Sequence, residues 1–153
     1  MKGKGKRMTR EEVLDRLVEG NRRFAAGRVE APRRDGVRRL ETAGGQAPDA
    51  VVLCCSDSRV VPELIFDQGI GDLFTVRVAG NVIDDVVLGS IEYAAAHLSA
   101  GLVIVLGHTC CGAVDATLSG RQAEGHTASV TDCIRKVAES CGSGDPDGIA
   151  RAN

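Results

Sequence analysis

The sequence is poor in aromatic residues and carries almost no net charge. It has no tryptophan, one tyrosine and three phenylalanines, and its formal net charge at pH 7 is -2. A protein that binds nucleic acid needs a basic face, and single-strand binders also need aromatic rings on which bases stack. Neither feature is present here, so we expect no nucleic-acid partner.

Long hydrophobic runs are also missing. No stretch approaches the roughly 20 apolar residues that a membrane-spanning helix requires. Residues 1–7 are rich in lysine and arginine, as the start of a secretory leader is. The polar segment Thr9-Arg10-Glu11-Glu12 follows them, where a leader would have an apolar core. We therefore expect a cytoplasmic protein without a membrane span. Disulfides are rare in that reducing compartment, so the six cysteines are candidates for metal ligands or buried thiols.

The chain is long enough for one hydrophobic core. It has 153 residues, of which 43% are hydrophobic, and domains commonly hold roughly 100 to 150 residues. We expect a single domain over residues 1–153, with residues 1–8 disordered.

Three short apolar runs without alternation predict strands that are covered on both faces, at residues 51–55, 73–79 and 102–106. A helical pattern over residues 84–98 separates the second run from the third, and strand, helix, strand is the parallel crossover unit. The fold class is therefore α/β, with a central, mainly parallel sheet flanked by helices. Other helices are expected over residues 9–26, 37–42, 62–67, 113–118 and 127–140.

Potential metal ligands end two of these runs. Cys55 closes the first run and His108 follows the third, and sites in parallel sheets gather at the carboxyl ends of the strands. In the segment His108-Thr109-Cys110-Cys111, an imidazole and a thiolate are three residues apart. Two thiolates and one imidazole suit zinc and leave its fourth position open, as in catalytic sites. Asp57 and Arg59 lie beside Cys55 at two-residue spacing.

The cysteines also have a simpler interpretation. A cysteine that is not a ligand is usually a small buried hydrophobe. We expect that role for the remaining four, which are Cys54, Cys110, Cys133 and Cys141.

Two motifs carry a resemblance to a known family. Cys55-Ser56-Asp57-Ser58-Arg59 and His108-Thr109-Cys110-Cys111-Gly112 resemble the two signature motifs of the β-class carbonic anhydrases. Similar sequence extends over residues 19–24, 71–81 and 90–94. Typical members continue through a further helix and an edge strand, so the resemblance implies a chain that is short or truncated at its C-terminus.

The resemblance implies roles for individual residues. Zinc would be held by Cys55, His108 and Cys111, with Asp57 and Arg59 as a neighbouring dyad. In the family's active form Arg59 would hold Asp57 off the metal, and in its resting form Asp57 would itself be the fourth ligand. The residues that resemble those lining the family's carbon dioxide pocket are Gln46, Phe74, Ala79 and Tyr93.

Two positions depart from the family pattern. Val78 stands where many members carry asparagine, which is a tolerable variation. Cys110 occupies a position that is often filled by another residue, and it offers an alternative thiolate for the metal.

The implied function is the zinc-dependent, reversible hydration of carbon dioxide to bicarbonate and a proton, by a carbonate dehydratase that assembles as a homodimer or homotetramer. Three alternatives remain. One is a hydrolase of carbon disulfide or carbonyl sulfide on the same scaffold, and another is a non-catalytic homologue that binds zinc or an anion. The third is a thiol redox protein that uses the pair Cys54/Cys55 or Cys110/Cys111.

Overall fold

The computed structural model describes residues 7–120, 123–141 and 145–152. Of the segment for which we predict disorder, residues 1–6 lie outside the described residues. Arg7 is described, and its guanidinium donates hydrogen bonds to the carbonyls of Pro48 at 3.0 Å and Leu98 at 3.1 Å. Among the described residues, no helix has the length and apolar character needed to cross a membrane.

Three parallel strands form the sheet and confirm the predicted α/β class. They are β1 (Ala50–Cys55), β2 (Leu73–Val78) and β3 (Leu102–Leu106), in the order β2-β1-β3. The helices are α1 (Arg10–Ala25), α2 (Gly36–Thr42), α3 (Pro62–Ile65), α4 (Asp85–His97), α5 (Gly112–Leu118), α6 (Thr127–Cys141) and α7 (Pro146–Ala152).

The burial of the strands follows their place in the sheet. All six residues of the central strand β1 are buried, as the unbroken apolar run predicts. For β3 the same expectation is wrong, because Val103 and Val105 are exposed while their neighbours are half-buried. β3 is an edge strand, and one of its faces has no cover within the described chain.

Helix α1 begins where its capping residues predict. The backbone N–H of Glu12 donates to Oγ1 of Thr9, and the Glu12 carboxylate accepts from the backbone N–H of Thr9, which is a complete capping box. Val13 and Leu17 on this helix are buried. Gly20 must lack a side chain, since a Cβ there would lie 1.9 Å from the carbonyl oxygen of Phe66.

The chain has two compact units. The first comprises Met1–Val52, Pro62–Thr75 and Ser90–Ile104. It contains two buried carboxylates that arginines hold in place. Asp67 accepts from Nε of Arg23 at 2.7 Å, and Asp72 accepts from Nη2 of Arg33 at 2.6 Å.

The second unit comprises Leu53–Val61, Val76–Gly89 and Val105–Asn153, and so contains the carboxyl end of every strand. Its core is one cluster of buried residues to which α5, α6 and α7 contribute. The cluster consists of Cys55, Val82, Cys111, Val114, Ile134 and Ile149. Two of the predicted metal ligands therefore belong to the hydrophobic core of this unit.

Candidate metal centre

Three side chains of the second unit bring metal-ligating atoms together. Cys55 is the last residue of β1, His108 follows β3 by two residues, and Cys111 is the N-cap of α5. One potential ligand atom from each of the three lies within 4.8 Å of the other two. The sequence pattern predicts the same three residues, although Cys55 lies more than 50 positions from the other two.

The spacing of these atoms fits a zinc ion. Tetrahedral zinc binds sulfur at about 2.3 Å and imidazole nitrogen at about 2.0 Å, which puts its ligand atoms roughly 3.5–3.8 Å apart. The observed separations lie within 4.8 Å, so small adjustments suffice for all three to bind one ion.

The imidazole of His108 is prepared for such a role. Its Nδ1 lies 2.9 Å from the carbonyl oxygen of Thr109, so an N–H at Nδ1 donates to that carbonyl. With the proton on Nδ1, Nε2 carries the lone pair. This nitrogen is buried and has no hydrogen-bond partner in the described part of the chain. A buried nitrogen without a partner is costly unless it binds something. Metal-binding histidines use this arrangement, with the second ring nitrogen held by a carbonyl or carboxylate.

Backbone N–H groups surround the sulfur of Cys55. Gly80 donates to this Sγ at 3.2 Å and Asp57 donates at 3.4 Å. Gly80 has a left-handed backbone, with φ of 69°, in the 3-10 turn Ala79–Asn81 that follows β2.

The thiol of Cys111 ionises readily only when a positive charge lies close to it. Burial raises the pKa of Cys111, and the adjacent Cys55 sulfur raises it further, while backbone N–H groups of Val114 and Ala113 act in the opposite direction. Two buried sulfurs this close cannot both be ionised easily without a positive charge between them. A divalent metal supplies that charge, so the chemistry of the three ligands fits a metal.

A carboxylate and a guanidinium lie next to the three ligands. Nε of Arg59 donates to Oδ1 of Asp57 at 2.9 Å, its Nη2 donates to Oδ2 at 2.7 Å, and its backbone N–H also donates to Oδ1 at 2.9 Å. These hydrogen bonds, first those from the Arg59 side chain, hold the pKa of Asp57 well below its usual range. Both carboxylate oxygens are thus engaged by Arg59, and Asp57 is not among the three clustered ligands.

Arg59 also bonds to the loop that carries His108 and Cys111. Its Nη2 donates to the carbonyl of Cys110 at 2.9 Å. Cys110 has a left-handed backbone with φ of 53°, and its side chain is exposed. The cluster of ligand atoms includes the sulfur of Cys111 and not that of Cys110.

The other cysteines divide into buried and exposed thiols. Cys54 is completely buried in β1 and Cys133 is half-buried against the core cluster, in line with the expected role. For Cys110 and Cys141 that expectation is wrong, because both are exposed. Cys141 is the last residue of α6.

The residues expected to line a substrate pocket fall in both units. Gln46 is exposed in the segment between α2 and β1 of the first unit. Phe74 and Tyr93 belong to the same unit, and their ring centroids are 6.3 Å apart. The ring of Tyr93 in turn lies 5.2 Å from that of His97. Ala79 belongs to the second unit, where it begins the 3-10 turn that also contains Gly80.

The sequence pattern assigned no role to three residues that lie around this centre. Gly80 donates to the Cys55 sulfur, and Arg77 donates to the backbone on either side of Ser56. Asn81 is buried and donates from Nδ2 to the carbonyl of Leu106 at 3.1 Å, near the end of β3. One signal was available, since Arg77 is a charged residue inside an apolar run.

Together, these observations define an α/β protein with a candidate Cys2His metal site at the carboxyl edge of a parallel sheet. A family model described as carbonic anhydrase matches residues 50–149. The chain therefore belongs to the carbonic anhydrase family, and its structural neighbours are of the β class. This is an enzyme family, the carbonate dehydratases.

Individual relatives agree with this assignment. The chain is 49% identical over 141 residues to carbonic anhydrase 2 of Mycobacterium tuberculosis H37Rv, a match that covers 90% of this chain and 67% of that protein. A Coccomyxa β-carbonic anhydrase, solved in complex with acetazolamide, superimposes with a TM-score of 0.68 at 29% identity, over 90% of this chain and 64% of that one. For one of two tetrameric β-carbonic anhydrases of Sordaria macrospora the TM-score is 0.67 at 25% identity, over 91% and 74%. The chain thus spans about two thirds of the length of the first two.

Proposed function

We propose that this chain catalyses the reversible hydration of carbon dioxide to bicarbonate and a proton with one zinc ion held by Cys55, His108 and Cys111. The observation that carries the proposal is the cluster of three ligand atoms within 4.8 Å, one of them in a residue whose buried Nε2 has no partner in the described part of the chain. The 49% identity to a mycobacterial carbonic anhydrase supports the same reaction.

Each residue of the centre has a distinct part in this reaction. Bound zinc would act as a Lewis acid that lowers the pKa of water from 15.7 to about 7, which makes hydroxide available near neutral pH. The Asp57 carboxylate would accept a hydrogen bond from water at the site and hold its oxygen in the direction of carbon dioxide. Arg59 keeps that carboxylate ionised and fixes its direction through two parallel hydrogen bonds.

The pairing of Asp57 with Arg59 supports an open form of the site. A carboxylate that is engaged at both oxygens by one guanidinium is not available as a fourth ligand. In a resting form, Asp57 would leave Arg59 and bind the metal itself. The geometry of the described chain favours the form in which the fourth position is left to water.

Four further residues would serve the substrate. Carbon dioxide is linear and uncharged, so apolar side chains such as those of Phe74, Ala79 and Tyr93 suit it. The amide of Gln46 could hydrogen-bond an oxygen on which charge develops during the attack. This part of the proposal is supported by the resemblance of these positions to the family's pocket residues.

We also propose that the chain assembles as a homodimer or homotetramer and works in the cytoplasm. Helix α4 is rich in apolar residues, yet Val86 is 76% exposed and Leu88 and Tyr93 are about half exposed. Val103 and Val105 of β3 are exposed as well. Uncovered apolar surface of this kind is typical of protein interfaces. The similar β-carbonic anhydrases of Sordaria macrospora are tetrameric, which supports an assembly of this kind.

A stopped-flow hydration assay on the zinc-loaded protein tests the proposal. We expect proton release from carbon dioxide at neutral to alkaline pH, with zinc near one per chain and loss of activity when a chelator removes it. Zinc near one per chain without hydration activity would contradict the proposal and favour a binding homologue. Rapid release of sulfide from carbon disulfide or carbonyl sulfide, without formation of bicarbonate, would favour the hydrolase.

A further inference from the structure

The guanidinium of Arg77 donates hydrogen bonds to the backbone on both sides of Ser56. Its Nε donates to the carbonyl of Cys55 at 3.0 Å, and its Nη2 donates to the carbonyl of Asp57 at 2.7 Å. A single rigid guanidinium therefore fixes the peptide group that follows Cys55 and the one that follows Asp57, on either side of the short link between the proposed metal ligand and the carboxylate.

The position of Arg77 on β2 explains how it reaches these carbonyls. β2 lies beside β1 in the sheet, and the backbone N–H of Ser56 donates to the carbonyl of Val78 at 3.2 Å. At this point β1 ends and its chain turns away. The side chain of Arg77 extends the hydrogen bonding between the two chain segments by one more residue, from Ser56 to Asp57.

The bonding of Arg77 is unusual for a charged side chain. It stands between Val76 and Val78 in an otherwise apolar stretch, and none of the ion pairs in the described part of the chain involves it. Its charge is directed to two carbonyl oxygens, and such charge-assisted hydrogen bonds are stronger than neutral ones. A lysine could reach only one of the two at a time, because it lacks the planar fork.

We propose that Arg77 is a positioning residue that sets the separation between the metal-binding sulfur of Cys55 and the carboxylate of Asp57. Asp57 is then held at both ends, by Arg59 at its carboxylate and by Arg77 at its carbonyl. This inference deepens the proposed function and rests on it. Outer partners of metal ligands commonly contribute 10–100-fold to metal affinity or activity.

The test compares Arg77→Met with a matched control, Arg34→Met. Arg34 of the first unit also bridges two carbonyls, those of Gln68 at 2.9 Å and Glu63 at 3.0 Å. Zinc affinity is measured by competition with a chromophoric chelator, and kcat/KM is measured per bound zinc at a temperature where both variants are folded. For Arg77→Met we expect zinc affinity to fall about 10-fold and kcat/KM by about 10–100-fold. Arg34→Met should leave both within about twofold.

Two further variants separate positioning from a general structural role. Arg77→Lys should recover part of the loss in kcat/KM, since it restores one of the two hydrogen bonds. In an Asp57→Asn background, Arg77→Met should lower kcat/KM far less than it does in the natural chain, because coupled residues are not additive. Any one of three results would overturn the proposal. These are full additivity of Arg77→Met and Asp57→Asn, unchanged zinc affinity in Arg77→Met, and losses in Arg34→Met that equal those in Arg77→Met. If the natural chain binds zinc but is inactive, only the proposed function is contradicted. The zinc affinities of Arg77→Met and Arg34→Met can still be compared, because that measurement needs no activity.

Discussion

The backbone N–H of Gly80 donates a hydrogen bond to the sulfur of Cys55 at 3.2 Å, and any side chain at this position would be strained. An added Cβ would lie 2.6 Å from Cδ1 of Ile134 and 3.2 Å from Cβ of Ala113. The φ of 69° is also unfavourable for any residue with a side chain. The 3-10 turn after β2 thus connects the proposed metal ligand Cys55 to the packing of α5 and α6.

Gly80→Ala should weaken both folding and metal binding. We expect the free energy of unfolding to fall by about 2–4 kcal/mol, from overpacking together with the left-handed backbone. Zinc affinity should fall as well, because the turn that presents this N–H to the Cys55 sulfur must shift. Urea denaturation and a chelator competition measure the two effects.

Gly27→Ala is the control for this substitution. Gly27 has nearly the same φ, 66°, and its Cβ would meet nothing within 4 Å. For Gly27→Ala we expect the free energy of unfolding to fall only by the cost of the left-handed backbone, about 1 kcal/mol, and zinc binding to be unchanged. Equal destabilisation in both variants would show that the contact of Gly80 with Ile134 and Ala113 is unimportant.

The arrangement of the strands and the cluster of potential ligands could be predicted because each rests on local sequence. The apolar runs predict the three strands, and parallel strands bring Cys55 and His108 to one edge of the sheet. The spacing of His108 and Cys111 then completes the cluster. Spacing alone did not exclude Cys110, whose left-handed φ places its side chain outside the cluster of ligand atoms.

Other features depend on contacts between distant parts of the chain. Arg23 and Asp67 are 44 positions apart, and nothing in the local pattern of either residue indicates that they pair. The same holds for Arg77, whose partners are 20 and 22 positions away. The exposed face of β3 could not be predicted either, because an apolar run has the same sequence pattern whether or not another surface covers it.

Substitution of the ligands should remove the metal. Cys55→Ser and His108→Ala each take away one of three protein ligands, so we expect both to lose most of their zinc when purified, as measured by elemental analysis. Cys110→Ser is the matched control, because Cys110 is an exposed thiol next to a proposed ligand and lies outside the cluster. It should retain zinc near one per chain.

Unchanged zinc in either ligand variant would refute the proposed ligands. Loss of zinc in Cys110→Ser would show that this thiol binds the metal in place of Cys111. If the protein binds no metal and Cys110→Ser abolishes a thiol-dependent activity, the redox alternative becomes the better explanation.

Arg59→Ala should separate metal binding from catalysis. The three ligand atoms do not include Arg59, so we expect zinc to be retained. Asp57 would lose both side-chain hydrogen bonds that fix its direction, and it would be free to approach the metal as a fourth ligand. Turnover should fall by about 100-fold or more, within the range that positioned catalytic groups contribute. Near-normal kcat in a zinc-loaded variant would show that the pair is not needed.

The buried ion pair of Asp67 should make the stability of the protein sensitive to acid. Asp67 is fully buried, and burial alone would raise its pKa. Hydrogen bonds from the backbone of Glu30 and Ala31 and from the Arg23 guanidinium outweigh burial and hold the pKa below its ordinary value. Because the folded-state pKa is lowered, the stabilisation is fully present above about pH 4–5 and is lost as the pH falls toward the folded-state pKa.

Asp67→Asn tests this directly by urea denaturation between pH 3 and pH 7. The variant should be less stable at pH 7 by on the order of 3 kcal/mol, since Arg23 then lacks its buried partner. The difference from the natural chain should narrow as the pH falls, because acid removes the same interaction from the natural chain. Asp15→Asn, which alters an exposed carboxylate on α1, should leave the pH dependence unchanged. A difference between Asp67→Asn and the natural chain that stays constant down to pH 3 would show that Asp67 does not cause the acid sensitivity.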